Sequence, residues 1–134
     1  MSVADGTRAE AGAARLSIEP GVLVRPVLAR VISMLAARAA LPIDRLNDAV
    51  LIGDAVAAHA ARFSADGRVR AEVAGGADGL AVRVGPLAPD GAERLCRAVE
   101  VPEAGSVFER LADAVERETG DGEGEFVVLR VWPR

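Results

Sequence analysis

The chain has 134 residues, 51% of them apolar and 27% charged, which suits one globular domain and excludes a chain disordered throughout. The net charge of −4 argues against a nucleic-acid-binding protein, because phosphate recognition needs a basic surface. A single cysteine and a single histidine exclude an internal disulfide and a multi-cysteine zinc site. No uncharged apolar run is long enough for a membrane span, and the first residues lack the layout of a signal peptide, so we expect a cytoplasmic protein.

The amino-terminal end divides into a tail and a first strand. Residues Met1 to Gly12 are small and polar without periodicity, which predicts a disordered tail followed by a single domain over residues 13–134. Polar and apolar residues alternate over 14–19, and Pro20-Gly21 follows at once. This pattern predicts an edge strand that ends before the proline.

Two helices are predicted next. Apolar residues recur at spacings of three and four from Val24 to Leu35, which indicates an amphipathic helix. A second helix is predicted from Ile43 to Phe63, and small and apolar residues cover most of its surface. Its apolar centre contains one carboxylate, Asp54, which needs a partner or a solvent-lined pocket because an isolated buried charge is costly.

The second half of the chain alternates hairpins with short helices. The pattern predicts strands over 69–73 and 80–84 joined by a glycine-rich loop at 75–79, helices at Ala92–Ala98 and Val107–Ala114, and a closing hairpin of 115–118 and 126–132. Helices collected on one face of a mostly antiparallel sheet make a two-layer α+β sandwich the expected fold.

This element order, with an acid in the second helix, resembles the GHKL family of histidine-kinase-like ATPases, and within it the bacterial anti-sigma-factor serine/threonine kinases. The resemblance implies a Bergerat-type fold over most of the chain. In the family the second helix carries a Glu that activates water or a hydroxyl, and four residues later an Asn that holds Mg²⁺ with the triphosphate. The matching positions here are Asp54 and Ala58, and Ala58 has no oxygen to offer a metal ion.

Two further family motifs are altered. The Asp-x-Gly-x-Gly motif, whose Asp reads the adenine amino group, corresponds to residues 85–89, so Gly85 replaces the Asp and Leu87 replaces a glycine. The glycine-rich phosphate-binding motif is reduced to residues 103–106, in which Gly105 and Ser106 precede a predicted helix and could still offer amide donors to an anion.

These differences predict a family scaffold with a degenerate nucleotide pocket. We therefore expect a regulatory protein of a partner-switching system that binds a protein, either a sigma factor or an anti-sigma-factor antagonist, with weak or lost ATP binding. No cofactor is expected, and ATP with Mg²⁺ would bind only if the pocket still works. The alternative is an active ATP-dependent serine/threonine kinase with Asp54 as its base. A third reading is a small-ligand sensor whose vacated pocket is lined by Leu87 and Val107.

A few single residues have competing interpretations. Asp54 is expected to bond to a nearby arginine or to solvent, and Arg62 is one candidate for that ion pair. His59 is expected on the helix surface or partly packed without catalytic duty, because it lies about 140° round the helix from Asp54. Cys96 has no base beside it and is expected to be a buried small hydrophobe. Trp132 is either a core or edge-strand anchor or an oligomer contact, and the resemblance makes a homodimer possible.

Overall fold

The structure, a computed structural model, describes residues 10–120 and 122–133. Within these ranges the chain folds into four α-helices and a five-stranded antiparallel sheet, together with a small two-stranded ribbon. The mixed α+β class predicted from the sequence is confirmed. None of the helices in these ranges is long and apolar enough to cross a membrane.

The elements follow one another largely as the periodicity predicts. The α-helices are α1 (Val24–Arg38), α2 (Ile43–His59), α3 (Gly91–Ala98) and α4 (Val107–Leu111), and a 3₁₀ turn (Ala60–Phe63) continues α2. The strands of the large sheet are β1 (Glu10–Ile18), β2 (Val69–Gly76), β3 (Gly79–Leu87), β6 (Ala114–Glu118) and β7 (Glu125–Val131). The ribbon pairs β4 (Glu100–Val101) with β5 (Gly105–Ser106).

Several boundaries differ from the predicted ones. Strand β1 begins at Glu10, so the last part of the predicted tail belongs to the sheet, whereas residues 1–9 of that tail lie outside the described ranges. The hairpin strands β2 and β3 extend through Gly76 and Gly79, which shortens the predicted five-residue loop to two residues. Helix α4 ends at Leu111 because Ala112 is already extended, and the residues after it start β6.

The large sheet has the strand order β1-β2-β3-β7-β6, and α1 packs on β1 and β2. Side chains of β2 alternate between buried and half-buried, so one face of the sheet forms the core with the helices. At Gly75 a Cβ would lie 2.7 Å from the carbonyl oxygen of Leu35, which shows how closely α1 approaches the sheet. The other face of the sheet carries no helix in the part of the chain that the structure describes.

The core is continuous from the helices into the second half of the chain. Phe108 of α4 and Leu95 of α3 are fully buried, and α4 packs against α2. The largest fully buried side chains are Phe108, Leu28, Ile32, Ile52, Leu87, Leu95 and Leu129. Helices α1 and α2 touch at Gly53, where a Cβ would lie 2.6 Å from Cδ1 of Ile32. The small residue at position 53 therefore sets the distance between the two helices.

Candidate functional site

Asp54 lies in the third turn of α2, and its carboxylate is held by Arg25 at the start of α1. Arg25 Nε donates to Oδ1 of Asp54 at 3.1 Å, and Nη2 donates to Oδ2 at 3.2 Å. The Asp54 side chain is 24% exposed and that of Arg25 is 71% exposed. The hydrogen bond that Arg25 donates to Asp54, followed by the charge of Asp54, raises the pKa of the Arg25 guanidinium. Asp54 is thus an ion-paired helix carboxylate at the border of the core.

The expectation that Asp54 bonds to a nearby arginine is confirmed, but the partner is Arg25 and the prediction for Arg62 is wrong. The guanidinium carbon of Arg62 lies 5.3 Å from the centre of the Phe63 ring. Arg62 belongs to the 3₁₀ turn, which rotates by a different angle per residue from an α-helix. The prediction assumed one regular α-helix through Arg62, so it placed the Arg62 side chain on the wrong face. Arg25 is 29 residues from Asp54 in sequence, and only the packing of α1 on α2 brings them together.

The pairing with Arg25 limits the chemistry of Asp54. A general base must reach the proton of a water or hydroxyl directly with an oxygen that is free to accept it. Both carboxylate oxygens here accept a hydrogen bond from a permanently charged guanidinium. The guanidinium therefore occupies one acceptor site on each oxygen of Asp54.

Ala58 stands one turn after Asp54 on α2 and is exposed. Its methyl group cannot ligate a cation, and carboxylate, carbonyl or amide oxygens are what Mg²⁺ takes from proteins. Within residues 10–120 and 122–133, no group of three or more histidine, cysteine, aspartate or glutamate side chains is arranged to hold a metal ion. The residues present at this position do not fit a magnesium site.

Gly85 and Leu87 lie at the end of β3, and this end of the strand is next to the 3₁₀ turn (Ala60–Phe63). Leu87 is buried and belongs to the hydrophobic core. The amide of Ala65 donates to the carbonyl oxygen of Pro86 at 3.1 Å, and the amide of Ala88 donates to that of Phe63 at 2.8 Å. A leucine anchored in this way fills space with its own side chain, where a glycine would leave room for a ligand.

Gly105 and Ser106 form β5, immediately before α4. Gly105 is exposed with φ +85°, and the Ser106 hydroxyl accepts from the amide of Glu109 at 3.4 Å. The Ser106 hydroxyl therefore already accepts from the Glu109 amide, one of the free amides that an anion could otherwise meet at this helix start. The nearby Arg110 donates to the carbonyl oxygen of Ala104 at 3.0 Å.

The predicted pocket residues border different cavities of the described chain. A cavity of about 600 Å³ is bordered by Leu87 and the β6–β7 turn, one of about 280 Å³ is bordered by Ser106, Cys96 and Arg117, and a third is bordered by Gly85. Asp54 and Ala58 line none of these three, and Val107 does not line the one beside Leu87. Gly85, Leu87 and Ser106 therefore lie beside separate cavities.

Of three single-residue expectations, the one for His59 is confirmed, whereas Cys96 is less buried than expected and Trp132 is not a core anchor. His59 is half-buried at the end of α2, and in the described part of the chain its Nδ1 is buried without a hydrogen-bond partner. Cys96 is half-buried, and burial, partly offset by Arg117, raises the pKa of its thiol, which makes it a poor nucleophile. The Trp132 side chain is exposed after β7, while its backbone carbonyl accepts from Arg45 and its amide donates to Asp113.

Two polar arrangements have no counterpart in the sequence patterns. Arg45 at the start of α2 bonds to Asp48, to Asp113 and to the carbonyl oxygen of Trp132. Glu125 of β7 accepts from the amides of Asp90 and Ala92, and so caps the start of α3 with a carboxylate. Apart from the bond between Arg45 and Asp48, all of these contacts join residues that are more than 30 positions apart. A local sequence pattern could therefore not have predicted them.

Comparison with protein-family models finds no match for this chain, and comparison with curated protein sequences finds none either.

Proposed function

We propose that the chain is a regulatory protein of the anti-sigma-factor type, built on a GHKL-like scaffold, that acts by binding a protein partner rather than by transferring phosphate. The resemblance of its element order to that family motivates this proposal. The arrangement of helices on one face of a five-stranded antiparallel sheet is compatible with it.

The observation that carries the proposal is the ion pair of Arg25 with Asp54. A guanidinium stands against the carboxylate at the position where the family's catalytic acid acts, and both carboxylate oxygens are engaged. One turn later, Ala58 offers no metal ligand. Each lost polar contact to a buried ligand costs about 1–3 kcal/mol, and about 1.4 kcal/mol is a tenfold change in affinity. Two or three such losses would turn a micromolar nucleotide site into a millimolar one.

A protein-binding role is also supported by the surface around this ion pair. Val22 is 90% exposed and Leu23 is 66% exposed, and both directly precede α1. Val27 on α1 and Leu51 on α2 are exposed too. We call these four residues the α1–α2 patch. Val22 and Leu23 are consecutive and Val27 follows one helical turn later, and exposed apolar side chains grouped in this way are typical of protein-binding surfaces.

The test of this function is complex formation with a defined set of partners. Each sigma factor and each anti-sigma-factor antagonist of the source cell would be purified and titrated against the chain without nucleotide. We expect one of them to bind, and the double variant Leu23→Asp with Val27→Asp to weaken that binding at least tenfold.

The matched control is Val101→Asp, the same kind of change at an exposed apolar residue of β4. It should leave the affinity unchanged and show that an added charge alone has no effect. Complex formation that requires Mg·ATP, or the absence of a complex with every partner tested, would contradict the proposal.

A further inference from the structure

The open face of the sheet contains a hollow of about 510 Å³ that includes Gly85 but none of the other candidate residues of the nucleotide site. It spans four strands, β1, β2, β3 and β7, on the side away from α1. Its polar lining comes from Arg15, Ser17, Arg70, Glu72 and Arg83, and its apolar lining includes Pro86 and Phe126. A volume in this range is ordinary for a small-molecule site, which typically measures about 300–1,000 Å³.

Strand register places the charged groups of the hollow side by side. Arg15 is opposite Glu72, Glu72 is opposite Arg83, and Ser17 is opposite Arg70. Arg70 is therefore the diagonal neighbour of both Arg15 and Arg83 on the same face, at the separation across which long side chains still meet. Glu72 pairs with Arg15 at 2.8 Å and with Arg83 at 3.9 Å, and Arg70 pairs with Asp66.

The floor of the hollow depends on Gly85. Its φ is +143°, and a Cβ at this position would lie 2.5 Å from the carbonyl oxygen of Glu125 and 2.7 Å from Cδ2 of Phe126. The strand thus has no side chain at the point where the lining of β2 meets that of β7. The absence of a side chain at Gly85 lets the Phe126 ring lie directly against β3 at the edge of the hollow.

The three arginines of the hollow are paired within the chain. Its lining contains these three arginines and one glutamate. Each arginine already holds a carboxylate of the chain: Arg15 holds Glu72 at 2.8 Å, Arg70 holds Asp66 at 2.6 Å, and Arg83 holds Glu118 at 2.9 Å. These pairs are exposed and therefore weak, so a ligand with a higher negative charge can replace them.

An aromatic platform adjoins the cationic groups. The guanidinium carbon of Arg83 lies 3.6 Å from the centre of the Phe126 ring, a stacked cation–π geometry. A second planar ring can pack against this stack and against Pro86. The space exceeds what an inorganic anion alone would fill, so the lining fits an anion attached to a flat apolar group.

We propose that this hollow binds a free aromatic phosphate monoester of small-molecule size. Its phosphate would take the place of Glu72 and Asp66 on Arg15 and Arg70, and its ring would lie against Arg83 and Phe126. A phosphate monoester is close to a dianion at neutral pH and offers three acceptor oxygens, so it can form stronger hydrogen bonds to two guanidinium groups than the single carboxylates now present. This site is independent of Asp54 and of the proposed protein-binding role.

The test is a titration of the full chain with phenyl phosphate as the probe, followed by the NMR signals of the arginine Nε–H groups. We expect the signals of Arg15, Arg70 and Arg83 to move and that of Arg130 to stay. Phenyl phosphate should bind at least tenfold more tightly than benzoate, phenol or inorganic phosphate.

Two variants separate the hollow from the open face as a whole. Arg70→Ala should weaken phenyl phosphate binding at least tenfold. Arg130→Ala should not, because Arg130 pairs with Glu116 on the same face but does not line the hollow. If Arg70→Ala does not fold, Arg15→Ala at the more exposed end of the hollow provides the same comparison.

The proposal fails if phenyl phosphate binds no better than benzoate, or if Arg130→Ala weakens binding as much as Arg70→Ala. Tighter binding of a phosphotyrosine peptide than of phenyl phosphate would overturn the assignment to a free small molecule and indicate a protein ligand. Asp54 does not line the hollow, so Asp54→Ala should leave phenyl phosphate binding unchanged. The result of this test is therefore separate from the result of the test for the proposed regulatory function.

Discussion

At the scale of single residues, the position of one guanidinium decides what the acid of α2 can do. Arg25 donates a hydrogen bond to each oxygen of Asp54, so the carboxylate has a charged partner within the chain. The Arg25 side chain is exposed, so the pair is in contact with solvent and is screened by salt. The pair therefore contributes little to the stability of the fold.

This weak contribution to stability can be measured. We expect Asp54→Ala, Arg25→Ala and the double variant each to change the folding equilibrium constant by less than about fivefold, because exposed ion pairs contribute little. Urea unfolding at low and high salt checks the double-mutant cycle, and the coupling should shrink as salt is added. A coupling that is large and independent of salt would show that Asp54 is a buried structural charge.

Asp66 gives the fold an acid-sensitive contact. The hydrogen bonds from Arg70, and then from the amide of Arg68, hold the pKa of Asp66 well below its usual range. A lowered pKa in the folded state adds stability above the ordinary pKa of about 4, and that stability is lost as the pH falls toward the folded value.

Asp66→Asn removes this pH dependence. We expect the variant to be less stable than the native chain at pH 7, and the difference to shrink as the pH falls below about 4. Urea midpoints of both proteins at a series of acidic pH values provide the measurement. A difference that is constant or grows toward low pH would contradict the role of Asp66.

At the scale of elements, the start of α2 is tied to the far end of the sheet by Arg45. The side chain of Arg45 is 15% exposed and that of Asp113 is 14% exposed, so the contact lies largely out of water. Arg45 also bonds to Asp48 at 2.7 Å and to the carbonyl oxygen of Trp132 at 3.3 Å. One side chain therefore connects α2 with the beginning of β6 and the end of β7.

Removal of this connection should destabilise the protein clearly. We expect Arg45→Ala to lower the free energy of unfolding by about 1–3 kcal/mol, because partly buried acceptors lose their donor. Arg30→Ala, at an exposed arginine of α1, is the control and should change it by less than about 0.5 kcal/mol. Equal effects of the two substitutions in urea unfolding would show that Arg45 is an ordinary surface residue.

At the scale of the whole molecule, the sequence was informative wherever the signal is periodic. The spacing of Val24, Leu28 and Ile32 predicts α1 and its buried face, and the alternation of Val69, Ala71 and Val73 predicts β2. Boundaries were less accurate, because Gly76 and Gly79 read as loop residues while cross-strand pairing carries them into the sheet. Tertiary hydrogen bonds overrode the local preference of glycine there.

The site was predictable only in part, since its decisive contacts are long-range. Composition singled out Asp54 as an acid that needs a partner, but no spacing could select Arg25 over Arg62. The hollow on the open face was not predicted from the sequence. It arises from the register of β1, β2 and β3, which brings together residues that are far apart in the chain. Sequence periodicity therefore indicates which face is buried, and strand pairing determines which charges meet.

The most direct test of a degenerate nucleotide site is the melting temperature with and without Mg·ATP, compared between the native chain and Asp54→Ala. A ligand that binds only the folded state must raise the melting temperature in proportion to its affinity. We predict that millimolar Mg·ATP gives the same small or absent shift in both proteins and that removal of Mg²⁺ changes nothing. A shift of several degrees that requires Mg²⁺ and disappears in Asp54→Ala would contradict the proposal.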